Sequence, residues 1–92
     1  MRIEKADVVI PLNGRDAGKR FLVVGTEDEY SLLADGKGRR VEKPKRKKNK
    51  HVKVESSIAG PVADKLIEGE KITNSEIRRA LINVTHGEQG GM

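Results

Sequence analysis

A mainly β fold, a small closed or nearly closed barrel followed by a C-terminal helical appendage, is expected from three features of the sequence. Residues 6–54 break into five short apolar or alternating runs divided by Gly, Pro, Asn and Asp turn signals. The second run, Phe21, Leu22, Val23 and Val24, is apolar in both phases, so each of its faces needs a cover. The last third of the chain then changes to helical spacing. Closure of the strands removes exposed edges. The chain has 92 residues, 35% hydrophobic and 36% charged, which allows one small domain. Burial is marginal at such sizes, where a chain of about 60 residues hides only roughly 60% of its unfolded surface. A large catalytic cleft is not expected.

Residues 6–10 alternate loosely and stop at Pro11, which cannot donate to a ladder. Residues 12–18 form a loop, with Gly14 and Gly18 supplying positive backbone dihedrals. The second strand covers residues 20–24, with Phe21 and Val23 on one face and Leu22 and Val24 on the other. The acidic residues 26–29 connect it to a third strand, residues 30–34, and Asp35-Gly36 is a turn signal. Residues 39–42 are expected as a fourth strand and 51–54 as a fifth, with residues 43–50 a basic loop between them. Ser56 and Ser57 read as a connector to the helices.

Pro61 after Gly60 suits a first helical position, and Val62, Ala63, Leu66 and Ile67 lie on one stripe that stops before Gly69. Thr73, Asn74, Ser75 and Glu76 fit a capping box, with Ile72 and Ile77 as its hydrophobic staple. Ile77, Ala80, Leu81 and Val84 form a packing face, while Arg78, Arg79 and Asn83 face elsewhere. The organisation expected is a barrel over residues 1–56 that contains a basic segment at 37–53, a helical appendage at 57–86 and a disordered tail at 87–92.

Charge is unevenly distributed. Residues 1–34 carry five basic and six acidic side chains, residues 35–53 ten and two, and residues 54–92 four and six, giving balances of −1, +8 and −2. The whole positive excess therefore sits in residues 35–53, the footprint of a polyanion binder. Absence of cysteine excludes a disulfide scaffold and a thiolate zinc site. His51 and His86 have no neighbouring ligand pattern, and no carboxylate pair has a catalytic setting, so neither a cofactor nor enzymatic activity is expected. No stretch approaches the roughly 18 apolar residues of a membrane span, and the N-terminus lacks the apolar run of a secretory signal. A cytoplasmic protein without membrane attachment is the expectation. The basic run also lacks the interleaved large apolar residues that would favour a lipid surface.

The loop Gly14-Arg15-Asp16-Ala17-Gly18-Lys19-Arg20 is not a phosphate-binding P-loop. Its glycine spacing is one short, Arg20 stands where Ser or Thr should hold magnesium, and a strand follows instead of a helix. Residues 7–26, a strand, this loop and Phe-Leu-Val-Val, instead resemble the KOW motif of ribosomal and transcription-associated proteins, with Gly18 at the hallmark glycine. Over roughly residues 5–55, with Leu33-Ala34-Asp35-Gly36 and the Lys-Pro-Lys-Arg-Lys-Lys stretch, the chain is similar to the KOW branch of large-subunit ribosomal proteins of archaea and eukaryotes. That resemblance implies an SH3-like barrel that binds RNA, with the loop between the first two strands and nearby basic side chains on the phosphate backbone.

The residues expected at such an interface are Gly14 and Gly18, which let a backbone approach, and Arg15, Lys19 and Arg20 beside them. Arg39, Arg40, Lys45, Arg46, Lys47, Lys48 and Lys50 form a phosphate clamp in the same reading. Asp16 is expected as a turn former that bonds local amides. Phe21 and Tyr30 are the only aromatic residues, Phe21 for the core and Tyr30 beside an acidic turn. Base stacking on exposed rings is therefore not the mode, and structured RNA, ribosomal in the first instance, is favoured over single strands. The residue pattern alone does not exclude DNA; the preference for RNA rests on the resemblance. Ribosomal or transcription proteins are further partners. In the alternative reading the domain is a protein-interaction module whose basic segment only steers encounter. On the clamp reading, reversing Lys45, Arg46, Lys47 and Lys48 to glutamate abolishes binding and leaves the fold intact.

Overall fold

The computed structural model describes residues 2–90, with side chains as far as residue 84. Five strands, β1 (Asp7–Pro11), β2 (Phe21–Glu27), β3 (Tyr30–Ala34), β4 (Lys45–Lys48) and β5 (Val52–Ser57), form one antiparallel sheet in the order β4-β3-β2-β1-β5. Two helices, α1 (Pro61–Ile67) and α2 (Asn74–Gly90), follow. A single 3-10 turn, Asn49–His51, links the outer strands β4 and β5. These two do not pair with each other, so the sheet is not closed into a ring.

Each apolar phase of β2 has its own core. Leu22 packs with Val8 and Ala34 against Ala63 and Leu66 of α1, Ile77 of α2 and Ile72 between the helices. Phe21 and Val23 point the other way and pack with Ile3, Val9, Leu33 and Val52. Phe21 is 1% exposed, and burying such a side chain stabilises the fold by about 1.5–3 kcal/mol. The helical third of the chain covers the second face of β2, as its two-phase pattern requires. Register shifts at Val8/Val9 and at Val23/Gly25 bend the strands between these two cores.

Residues 39–42 form no strand. The fourth strand is part of the basic run itself, which pairs Lys45, Arg46, Lys47 and Lys48 with Leu33, Leu32, Ser31 and Tyr30 of β3. An outer strand needs one paired edge and tolerates lysine on the other, so an all-cationic strand is stable there although it carries no apolar alternation. Asp35-Gly36 is correspondingly not a hairpin turn but the start of a loop, residues 35–44, laid against α2. Ser56 and Ser57 are not a connector: they end β5, opposite Val8 and Asp7.

The helices form where their end signals stand. Pro61 opens α1 after Gly60, and the helix closes with the amides of Gly69 and Glu70 on the carbonyls of Leu66 and Lys65, Gly69 taking φ 79°. At the start of α2, the Glu76 amide donates to Thr73 Oγ1 (3.1 Å) and the Thr73 amide to Glu76 Oε1 (2.9 Å). Ile72 and Ile77 are both buried beside this box. The backbone of α2 runs to Gly90 and overlaps the tail expected as disordered; Gly91 and Met92 lie outside the described residues.

Candidate nucleic-acid interface

The β1–β2 loop, residues 12–20, is held by its own backbone. The amides of Ala17, Lys19 and Gly18 donate to the carbonyls of Gly14, Asp16 and Pro11, with Gly14 and Gly18 at φ 84° and 83°. The Leu12 amide donates to the His51 carbonyl and ties the start of the loop to the 3-10 turn.

Asp16 is the centre of this loop, in a role different from the local turn former expected. Its carboxylate is 13% exposed and faces Lys45 Nζ at 3.1 Å, Arg39 Nη2 at 3.4 Å and Lys19 Nζ at 3.8 Å. One aspartate therefore joins the β1–β2 loop, the 35–44 loop and β4. The hydrogen bond from Lys45 and the charges of Lys45 and Arg39 outweigh desolvation and hold the Asp16 carboxyl below its ordinary 3.8. A group with a lowered folded-state pKa contributes stability that is present above its unfolded value and lost as pH falls through the folded one. Asp16→Asn is accordingly less stable than the wild type to urea at neutral pH. The gap closes as pH drops well below 3.8, and a gap that stays constant with pH would refute this assignment.

Beside Asp16 lies an open groove of about 820 Å³ whose walls come from three separate segments. Arg15, Lys19 and Arg20 come from the β1–β2 loop, Lys37 and Arg39 from the 35–44 loop, and Arg78 with Leu81 and Ile82 from α2; Asp16 and Asp35 are the only carboxylates among the described lining residues. Arg20 is bound in a fork to Glu55 of β5, with Nη2 3.0 Å from Oε2 and a second bond from Nε to Oε1. Arg15 and the Lys37 ammonium have no partner among the described residues.

The 35–44 loop is fixed to α2 by a set of polar bonds. Asp35 Oδ1 accepts from the amides of Lys37 (2.8 Å) and Arg39 (2.9 Å). Arg78 Nη1 donates to the Gly36 carbonyl at 2.6 Å. Asn74 is 7% exposed; its Oδ1 accepts from the Val41 amide at 2.7 Å and its Nδ2 donates to Glu42 at 2.9 Å. This bond from Asn74 is the first cause that holds the Glu42 carboxyl below its ordinary value.

No family model and no curated protein matches the chain. The interface is therefore read from its own geometry. Of the residues expected there, Arg15, Gly18, Lys19, Arg20 and Arg39 line the groove. Lys45 and Lys47 join its border, Lys45 through Asp16 and Lys47 through Asn13 Oδ1 (3.1 Å), with Gly14 beside the Lys47 ammonium.

The other residues of the clamp are not brought to the groove. Arg46 and Lys48 alternate to the opposite face of β4, where Arg46 lies 3.6 Å from the centroid of the Tyr30 ring and pairs with Glu27 at 2.9 Å, and Lys48 Nζ lies 5.9 Å from the same ring. Arg40 faces Glu42 at 3.5 Å, and Lys50 sits in the 3-10 turn. Sequence reasoning missed Lys37 and Arg78. Lys37 lies within the basic segment, whereas nothing local distinguishes Arg78 from Arg79; only the packing of α2 on Gly36 does so.

Among the described residues, no group of three or more His, Cys, Asp or Glu is placed to hold a metal ion. No described helix is long and apolar enough to cross a membrane.

Proposed function

We propose that this protein is a non-catalytic binder of structured RNA, associated with the ribosome or ribosomal RNA in the cytoplasm, that grips the phosphate backbone. The observation that carries this reading is the convergence of six cationic side chains from three segments on one groove, with two carboxylates among its described lining residues. Cations gathered on one surface displace condensed counterions from a nucleic-acid backbone. The same reading treats the bent sheet as an SH3-like KOW barrel. In support, the outer strands are joined by one 3-10 turn, and Asp16 and Asn13 reach from the β1–β2 loop to β4.

The test is the salt dependence of binding to a folded ribosomal RNA fragment. Each neutralised phosphate contributes about 0.7 to 0.9 to the slope of log K against log salt, so three or four phosphates give a slope between about −2 and −4. A slope near zero, or no binding, overturns the proposal.

A second reading has its own observation. A groove of about 450 Å³ between the end of β5, α1 and α2 is lined by Ile58, Val62, Ala80 and Val84, which suits a protein partner in transcription or translation. Capture of a partner that survives nuclease treatment, by a protein with no RNA affinity, favours that module instead.

A further inference from the structure

We infer that the groove between the β1–β2 loop, the 35–44 loop and α2 receives a single unpaired nucleotide of the bound RNA, with its phosphate at Arg15, Lys19 and Lys37 and its base against Ile82. This rests on the RNA-binding reading and makes it more specific.

Two properties of the groove are not needed to grip a regular duplex. The first is its shape. A duplex presents its phosphates on a convex surface that suits a ridge of cations, whereas here the cations line an open groove of about 820 Å³, large enough to admit a small organic group. The second is its apolar wall. Ile82 is 54% exposed, one of three large hydrophobic residues with that character among the described residues, and with Leu81 it forms an aliphatic strip inside an otherwise polar, mainly cationic site. Phosphate has no use for an aliphatic surface. The flat face of a base, taken out of its stack, does.

The division of labour among the cations agrees. Arg20, Arg39 and Arg78 are committed to Glu55, Asp16 and the Gly36 carbonyl, so they are rigid walls. Arg15 and the Lys37 ammonium have no partner among the described residues, and Lys19 is 64% exposed and 3.8 Å from Asp16. These three are left to meet an incoming phosphate. Among the described residues no aromatic ring lines the groove, and the surface that Leu81 and Ile82 offer a base is aliphatic. Recognition of RNA at bulges and loops, where bases are already splayed, requires no unpairing of a duplex.

The test uses the full chain and two RNA duplexes without loops, one fully paired and one that differs only by a single bulged nucleotide, titrated by fluorescence anisotropy at one salt concentration. Wild type is expected to prefer the bulged duplex about tenfold, the size of effect that covering an exposed aliphatic side chain produces. Ile82→Ala removes that preference and leaves affinity for the paired duplex within about twofold, because phosphate contacts are untouched. Equal wild-type affinity for the two duplexes overturns the inference, as does a preference that survives Ile82→Ala. Absence of wild-type binding to either duplex instead overturns the RNA-binding reading itself, so the two failures are distinct.

Discussion

Replacing Arg15 and Lys37 together with glutamate is expected to weaken binding to structured RNA about a hundredfold, about 2.7 kcal/mol, while the thermal unfolding curve stays where it is. Both side chains line the groove from different loops. Neither ionic head has a partner among the described residues, so reversal removes no bond that the fold uses. The salt slope should fall by about two, one for each phosphate that is no longer neutralised. An affinity within about threefold of the wild type, measured by anisotropy at fixed salt, would show that the groove is not the RNA site.

Reversal of the basic strand is a poorer test than its charge density implies. Lys45 donates to Asp16 at 3.1 Å, and a glutamate there would set two carboxylates against each other at the junction of three segments. Lys47 anchors Asn13, and both lysines lie within β4. Reversing all four residues of this strand is therefore expected to lower stability as well as binding, because the strand binds its own molecule as well as being cationic.

Gly36→Ala is the substitution expected to cost most in stability, about 3 kcal/mol, or roughly 12–24 °C in Tm for a domain of this size. Gly36 has φ 77°, and a Cβ placed there would lie 2.4 Å from the Asn74 carbonyl oxygen and 2.9 Å from Arg78 Cγ. The first of those atoms is backbone at the start of α2, so the loop must move off the helix. The Arg78 bond to the Gly36 carbonyl and the Asn74 bonds to Val41 and Glu42 would be strained together. Gly18→Ala is the control. Its φ is 83°, but no atom lies within 4 Å of the added carbon, so only the backbone strain of about 1–2 kcal/mol applies. Circular dichroism melts of the two variants separate strain from collision; equal losses would mean that α2 does not hold the 35–44 loop as described.

Much of the architecture could be read locally because its causes are local. The two faces of β2 follow from alternation within four residues, and the capping box from the spacing of Thr73 and Glu76. The basic segment was visible as composition. Its conformation was not, because β4 is a strand only by virtue of β3 beside it, and Lys-Arg-Lys-Lys has no periodic apolar signal to announce that pairing. Arg39, Arg40, Val41 and Glu42, which do look strand-like, are instead held in a loop by Asn74, a residue 33 positions from Val41.

The strands near the core, the helix starts and the location of the positive excess were thus decided by amino-acid order, since burial and capping act over a few neighbouring residues. Which cations share a groove, which are bound by Asp16 or Glu55, and which face Tyr30 were decided only when distant segments packed together. Charge interacts through space, and the spacing of Asp16 from Lys45 or of Gly36 from Arg78 along the chain carries no trace of their contact.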